Sequence, residues 1–141
     1  MPVWGGADKG GLSDLQVLQN KAAQLVLNMP PRTNRNLMFD KLEWMSVNQL
    51  IFYHSILAVY KIRNAGEPEY LASKLSNDNF RGSIIEPNTT LTLAKNSFCY
   101  RGPASWNKLP QNIRNLPKLA NLKKELKKWT KQNIPRFLDQ A

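Results

Sequence analysis

The longest and most apolar segment of the sequence predicts a helix from Val47 to about Asn64. Ser46 directly precedes this segment, where a serine hydroxyl can accept hydrogen bonds from the free backbone N–H groups of a helix start. Gly66 follows it and suits the left-handed conformation that ends many helices. The side chains predicted to be mostly buried here are Val47, Leu50, Ile51, Leu57, Ala58 and Ile62. A segment of this kind favours a mainly α-helical domain.

A first helix is predicted over residues 14–28. Ser13 suits its N-cap, and Asp14 suits its first turn, where the helix dipole stabilises a negative charge. Pro30 and Pro31 end the element, because proline has no backbone N–H to continue it. The apolar side chains that recur at helical spacing are Leu15, Leu18, Ala22 and Leu25.

Two shorter helices complete a helical region over residues 1–76. Thr33 can cap the second helix of the chain, and Pro68 fits the first position of the fourth, where proline is accepted. The apolar face of the second helix consists of Leu37, Met38 and Leu42. Four helices are therefore predicted in this part of the chain.

A small irregular β region is predicted over residues 77–101, which are rich in Asn, Ser and Thr. The alternating piece Leu91-Thr92-Leu93 and the aromatic piece at residues 97–100 are typical of short strands joined by loops. Residues 101–103 then predict a turn. A brief helix over 104–109 and a linker-like stretch up to Pro117 follow it.

A basic amphipathic helix between Pro117 and Pro135 is the clearest element of the C-terminal region, residues 102–141. Its apolar seam, at spacings of 3, 4 and 3, consists of Leu119, Leu122, Leu126 and Trp129. Four lysines of this helix are predicted to lie together on another of its faces, namely Lys124, Lys127, Lys128 and Lys131. The three regions are predicted to form one compact unit.

The positive charge is concentrated at the C-terminal end. Residues 1–90 hold 9 Lys+Arg against 8 Asp+Glu, a balance of +1, whereas residues 91–141 hold 11 against 2, a balance of +9. Such a tail indicates an anionic partner, with nucleic acid as the leading candidate, while a solvated lysine face is the alternative. The residues predicted to contact phosphates are Arg101, Lys108, Lys118, Lys123, Lys124, Lys127, Lys128 and Lys131.

Two aromatic residues offer stacking surfaces for an unpaired base, namely Trp106 and Tyr100. A tryptophan between Ala104 and Leu109 is more often part of a core, because it brings a large apolar area to a small domain. Both interpretations of Trp106 therefore stand at the level of the sequence. Trp129 lies on the apolar seam and is expected in the core or at an interface.

Catalytic and cofactor motifs are missing from the sequence. One histidine, His54, and one cysteine, Cys99, are too few for a usual zinc site, and no glycine-rich phosphate loop is present. The acidic residues form no cluster for two-metal chemistry, and no apolar run reaches the roughly 18 residues of a membrane span. The sequence therefore predicts an intracellular protein, located in the nucleus or the cytoplasm. This protein is expected not to be an enzyme and to need no cofactor. It is also expected to bind neither a membrane nor a small-molecule substrate.

Several strings of the sequence occur in an order that resembles one family. The most specific is Tyr100-Arg101-Gly102-Pro103 followed by Trp106-Asn107 and Leu109-Pro110. The others are Pro2-Val3-Trp4-Gly5-Gly6, residues 15–23, Leu42-Glu43-Trp44-Met45-Ser46-Val47, Phe52-Tyr53-His54, Val59-Tyr60-Lys61-Ile62 and the helix at 119–126 with its lysines. Together they resemble the C-terminal end of the reverse transcriptase polyprotein of non-LTR retrotransposons, of the LINE-type, jockey-like group. The resemblance spans nearly the whole chain.

The resemblance implies a segment that follows the polymerase core, where thumb-like helices begin. The family's metal-binding Asp-Asp turn has no counterpart, because no Asp-Asp pair occurs in this sequence. No residue of this sequence is therefore assigned a role in polymerase or endonuclease chemistry. Because such thumbs hold the duplex backbone, the resemblance implies a non-catalytic module that contacts RNA, DNA or their hybrid.

A protein-interaction module is the alternative function. The seam of Leu119, Leu122, Leu126 and Trp129 is then expected to dock on the catalytic part of the parent polyprotein or on another copy. A second candidate for such a contact is an exposed apolar patch near the N-terminus, formed by Val3, Leu12 and Leu15.

Overall fold

A computed structural model describes residues 9–75, 84, 90, 91 and 97–137. Within these residues the chain forms seven α-helices and no strand, so the mainly α-helical class is confirmed. The helices are α1 (Lys9–Leu27), α2 (Arg35–Leu42), α3 (Val47–Ala65), α4 (Glu69–Leu75), α5 (Phe98–Lys108), α6 (Gln111–Arg114) and α7 (Leu119–Asn133).

Helix α3 begins and ends where the sequence predicts. The Ser46 hydroxyl accepts a hydrogen bond from the Gln49 backbone N–H at 3.3 Å, and the Gln49 side-chain oxygen accepts one from the Ser46 N–H at 3.2 Å. This reciprocal pair is a capping box, which satisfies two backbone donors at the helix start. Gly66 ends the helix with φ 71°, in the left-handed region.

The starts of the other N-terminal helices differ from the predictions. Ser13 is not an N-cap, because α1 is already helical at Lys9. Asn34 rather than Thr33 caps α2, since its side chain accepts a hydrogen bond from the Asn36 N–H at 2.9 Å. The Thr33 hydroxyl instead donates to the carbonyl of Pro30 at 2.6 Å. Pro68 directly precedes α4 instead of being its first residue.

The core is built around α3, which packs against α1, α4, α5 and α7. Ile56 and Val59 on α3 are fully buried, and each contributes on the order of 2 kcal/mol by leaving water. The predicted buried face of α3 is only partly right, since Leu57 alone of the six named residues is fully buried. The other buried members of this cluster are Phe52, Leu75, Ile84, Trp106, Leu109, Ile113, Leu122 and Leu126.

Helix α5 replaces the predicted strand at 97–100, the turn at 101–103 and the brief helix at 104–109. One continuous helix runs from Phe98 to Lys108, with Pro103 inside it. Gly102 lies at a close approach of α5 to α3, because a Cβ atom there would stand 3.2 Å from the Cγ2 of Val59. The predicted linker beyond it contains the short helix α6.

Most of the predicted β region lies outside the described residues, which include only 84, 90, 91 and 97–101 of it. Ile84 is buried in the core, and the Asn107 side chain holds it by two hydrogen bonds. Leu91 is exposed and belongs to no strand. Ile84 forms a single β-bridge, but no strand occurs among the described residues, so the predicted strands are not confirmed.

The segment after α7 returns to α2. The ring of Phe137 packs on that of Phe39, 5.5 Å between centroids, and the guanidinium of Arg35 lies 3.9 Å above the Phe137 ring. Arg136 pairs with Asp40 at 2.8 Å. These contacts fix the C-terminal end of α7 to the N-terminal helices and so set the direction of its solvent-facing side.

Candidate functional site

Helix α7 divides its side chains between the core and the solvent. Leu122 and Leu126 are fully buried, Leu119 and Trp129 are half-buried, and all four belong to the main core cluster. The predicted apolar seam therefore exists, but its two central leucines pack inside this chain. The folded protein leaves Leu122 and Leu126 no surface with which to dock on a partner.

The opposite side of α7 exposes a group of lysines, which we call the lysine face: Lys124, Lys127 and Lys128. Residues three or four apart are neighbours on a helix surface, so these ammonium groups repel one another by about 0.2–0.5 kcal/mol per pair. Glu125 is the one acidic residue of α7. An anion bound along this face would relieve the repulsion.

The start of α7 adds to the unbalanced positive charge. Lys118 occupies the N-cap without a side-chain capping bond, and no acidic residue lies in the first turn. A helix N-terminus carries a partial positive charge and favours anions. Lys118 and Lys123 are both exposed there. This end of α7 therefore lacks the negative charge that usually stabilises a helix start.

Lys131 and Arg136 each bond to the N-terminal half of the chain. The ammonium group of Lys131 donates a hydrogen bond to the carbonyl of Glu43 at 2.9 Å, at the left-handed end of α2. Arg136 donates to the carboxylate of Asp40 at 2.8 Å and to the carbonyl of Asn36 at 3.3 Å. Lys131 thus differs from its predicted neighbours, because part of its function is to attach α7 to α2.

Arg101 and Lys108 lie together on another surface. They occur one above the other on α5, with Ser105 between them, and line a cleft of about 340 Å³ against α3. Phe52 and Ile51 form part of the α3 wall. Lys108 is exposed, whereas burial lowers the pKa of the Arg101 guanidinium below its ordinary value. An arginine keeps its charge at neutral pH even so.

Trp106 is in the core and is only 4% exposed. Its ring belongs to the central cluster, and the guanidinium of Arg63 lies 5.5 Å from the ring centroid. The prediction that Trp106 stacks on an unpaired base is therefore wrong for the folded chain, and the core interpretation holds. Tyr100 is half-buried and lines the cleft beside Arg101.

Asn107, next to Trp106, has a structural function that the sequence does not reveal. Its side chain donates to the carbonyl of Ile84 at 2.8 Å and accepts from the Ile84 N–H at 2.9 Å. These two bonds anchor residue 84 on α5, 23 positions away in the chain. Only the three-dimensional arrangement shows this pairing, because no local spacing connects the two residues.

Titratable groups suited to catalysis are scattered. No group of three or more His, Cys, Asp or Glu side chains that could hold a metal ion occurs among the described residues. His54 meets the ring of Tyr53 edge-on at 5.3 Å, and burial, with the positive charge of Lys61 acting in the same direction, lowers its pKa. In the same part of the chain no helix is long and apolar enough to cross a membrane.

Comparisons with protein-family models, with curated proteins and with solved structures find no match for this chain.

Proposed function

We propose that this chain is a non-catalytic C-terminal fragment of a retrotransposon reverse transcriptase and binds the phosphate backbone of RNA, DNA or their hybrid. The observation that carries the proposal is the lysine face of α7, which exposes Lys124, Lys127 and Lys128 on a helix whose other side is fixed in the core. Backbone contacts of this kind give binding without base specificity. The resemblance of the sequence strings supplies the family.

The dimensions of α7 fit a nucleic-acid backbone. Lys124 and Lys128 are four residues apart, which corresponds to about 6 Å along a helix axis. A duplex rises about 3.4 Å per base pair, so the lysine face spans about two steps of one strand. The buried leucines hold α7 in place, and the lysine face is therefore presented without an ordering step of the helix itself.

Charge distribution also supports binding at the C-terminal end. The described acidic residues lie mainly in α1–α4 and their connections, whereas α7 itself carries five lysines and one glutamate. Arg101 and Lys108 supply a second, separate cationic surface at the cleft. The lysine face is therefore proposed as the main contact with the nucleic-acid backbone, and Arg101 and Lys108 as a second one.

Charge reversal tests the proposal. Changing Lys124, Lys127 and Lys128 together to Glu is expected to lower the affinity for an RNA–DNA hybrid by at least about tenfold, because three phosphate contacts become repulsive. The side chains are exposed, so circular dichroism and thermal unfolding should show a folded variant.

A matched control separates local contact from net charge. Lys41, Lys61 and Lys74 are exposed on α2, α3 and α4, and their joint replacement by Glu changes the net charge by the same amount. The control is expected to bind the hybrid within about threefold of wild type at moderate salt, where distant charges are screened. Equal losses in both variants would contradict a specific lysine face, and an unchanged affinity of the α7 variant would overturn the proposal.

A further inference from the structure

A third wall borders the cleft between α3 and α5. It is formed by Ile134 and Pro135, the two residues that directly follow α7. The Asn48 side chain on α3 donates a hydrogen bond to the Pro135 carbonyl at 2.9 Å. The neighbouring Gln49 side chain donates one to the Ile134 carbonyl at 3.1 Å. These two amides hold the wall in place, so the cleft of about 340 Å³ is already formed and suits a ligand of small-molecule size.

The inside of the cleft is largely apolar and includes an aromatic ring. Ile51 and Phe52 of α3 line it together with Ala104 of α5. Tyr100, which is half-buried, adds the ring of its side chain. Planar rings stack on aromatic side chains, because both have flat π-surfaces. This part of the cleft therefore suits the planar ring of a ligand.

The α5 side of the cleft carries two positive charges and a hydroxyl. Arg101 and Lys108 are seven residues apart, about 10 Å along a helix axis, and Ser105 lies between them. None of the described residues that line the cleft is acidic. Arginine has five N–H donors and can hold an anion while it also bonds within the chain. The charges therefore suit a ligand with one negative group toward each end of the cleft.

A single unpaired nucleotide within a strand has this arrangement of groups. Its planar base is attached to a sugar that carries a phosphate on each side. Arginine and lysine bind phosphates through charge-assisted hydrogen bonds. A base inside a duplex is stacked and paired, so only an unpaired nucleotide can present its base to a cleft. The order of cation, ring surface and cation thus matches the order of phosphate, base and phosphate.

An acidic peptide fits the cleft less well. A run of Asp or Glu supplies negative charge without a planar ring for Tyr100, and ordering its flexible side chains costs free energy. The position of the cleft also favours a nucleic acid. Ile134 is six residues from Lys128, about 9 Å along a helix axis, so the cleft lies near the end of the helix that carries the lysine face.

We propose that the cleft holds one unpaired nucleotide of a bound RNA or DNA strand. Tyr100 contacts the base, and Arg101 and Lys108 bind the phosphates on its two sides. The inference rests on the proposed nucleic-acid binding, because it identifies which part of that ligand enters the cleft. It adds a preference for unpaired nucleotides, which backbone contacts by the lysine face do not supply.

A two-dimensional NMR titration with adenosine 3′,5′-bisphosphate tests the cleft without a polymer. This probe carries one base and two phosphates and is too small to cover the lysine face. Wild type is expected to bind it with a Kd below about 1 mM, with the largest shifts at the amides of Tyr100 and Ser105. Adenosine and inorganic diphosphate should each bind at least about tenfold more weakly. No binding of the bisphosphate, or equal binding of diphosphate or of a hexaglutamate peptide, would overturn the proposal.

Charge removal in the cleft provides a second test. Arg101→Gln combined with Lys108→Gln is expected to weaken bisphosphate binding at least about tenfold, because both phosphates lose a charged donor. Lys108→Gln alone changes an exposed side chain, so its fold should be intact, and it should weaken binding about threefold. Circular dichroism verifies the fold of each variant. Unchanged binding in a folded variant would contradict the assignment of these two cations.

A matched control again separates contact from net charge. Lys41→Gln combined with Lys74→Gln removes two exposed charges from α2 and α4 and lowers the net charge by the same amount. This control is expected to bind the bisphosphate within about twofold of wild type, because distant exposed charges are screened by salt. Equal losses in both pairs would show a response to net charge alone and would overturn the cleft as the site.

Hybrids with different ends distinguish this inference from the proposed function. An RNA–DNA hybrid with a three-nucleotide overhang is expected to bind at least about fivefold more tightly than a blunt hybrid, because a base gains a stacking contact. An overhang of three abasic residues has the same phosphates and should gain less than about twofold. Binding of the blunt hybrid without a gain from the overhang would overturn the cleft inference alone. Binding of the bisphosphate without binding of either hybrid would contradict the proposed function alone.

Discussion

The ring of Trp129 on α7 stacks on the ring of Phe52 on α3, with 5.7 Å between the centroids and 27° between the planes. The stack connects the apolar seam of α7 with the helix at the centre of the core. The seam therefore stabilises the fold of this chain, and α7 keeps one side for the core and one for solvent.

Leu126→Ala should be strongly destabilising. Leu126 is fully buried, and removing its side chain leaves a cavity that the surrounding helices fill only in part. The expected loss is about 2–5 kcal/mol of the free energy of unfolding, measured by urea denaturation. Leu91→Ala is the control, because Leu91 is 69% exposed and its replacement should change stability by less than about 0.5 kcal/mol. Similar small losses in both variants would mean that the seam is not part of the core.

Thr130→Val should stabilise the protein. Thr130 is fully buried, and its hydroxyl has no hydrogen-bond partner within the described part of the chain. Valine has nearly the same shape and removes the unsatisfied polar group, for which burial costs about 1–3 kcal/mol. Thermal unfolding should show a higher midpoint.

Thr33→Val provides the opposite case. The Thr33 hydroxyl donates to the Pro30 carbonyl at 2.6 Å, and its loss should destabilise the protein by about 1 kcal/mol. A Thr130→Val variant that is destabilised as much as Thr33→Val would show that the Thr130 hydroxyl is hydrogen-bonded in solution.

Gln49→Leu should destabilise the protein more than Ser46→Ala does. Gln49 is 1% exposed, caps the start of α3 and donates to the Ile134 carbonyl at the end of α7, 3.1 Å away. Its replacement leaves the buried Ser46 N–H and the half-buried Ile134 carbonyl without this partner, at up to about 1–3 kcal/mol each, whereas loss of the Ser46 cap costs about 1 kcal/mol. Equal losses in urea denaturation would show that the bond to α7 contributes nothing.

His54 should make stability depend on pH. Burial lowers the pKa of His54 in the folded state, so the unfolded chain binds the proton first as the pH falls. Stability is therefore complete above the unfolded pKa of about 6.5 and decreases as the pH falls through that value. Denaturation of wild type and His54→Gln between about pH 7.5 and 5 should show a steeper decrease for wild type. Parallel profiles would contradict this contribution.

Local signals in the sequence predict several helices well. Ser46 and Gly66 mark the two ends of α3, and the 3, 4, 3 spacing of the α7 leucines and Trp129 predicts which side of that helix is buried. These signals depend on neighbouring residues within one or two turns, which is why sequence alone is sufficient for them.

Other features depend on contacts between residues that are distant in the sequence, and local signals do not predict them. The piece at 97–100 has the composition of a strand, but Gly102 lets its helix pack closely on Val59, and the helical form prevails. Leu18 and Leu25 follow the same helical spacing as buried leucines, yet both are exposed, while Gln16 and Gln19 of α1 hydrogen-bond to the backbone of Val47 and Met45. Helical spacing shows that residues share one face of a helix. It does not show whether that face contacts the core or the solvent.

The candidate site is likewise predictable only where it depends on the spacing of neighbouring residues. The exposed lysines of α7 follow from its periodicity, whereas the bond of Lys131 to the Glu43 carbonyl joins residues 88 positions apart. The cleft that holds Arg101 and Lys108 likewise requires α5 to be one helix against α3.

Salt dependence of binding tests the central claim most directly. The affinity of the purified wild-type chain for an RNA–DNA hybrid is measured from about 50 to about 200 mM salt. Three phosphate contacts by Lys124, Lys127 and Lys128 predict a slope of log affinity against log salt of about −2.7, or a loss of about 40-fold over this range, and more if Arg101 and Lys108 also bind. A folded sample that does not bind at the lower salt, or binds with a slope near zero, would contradict the account.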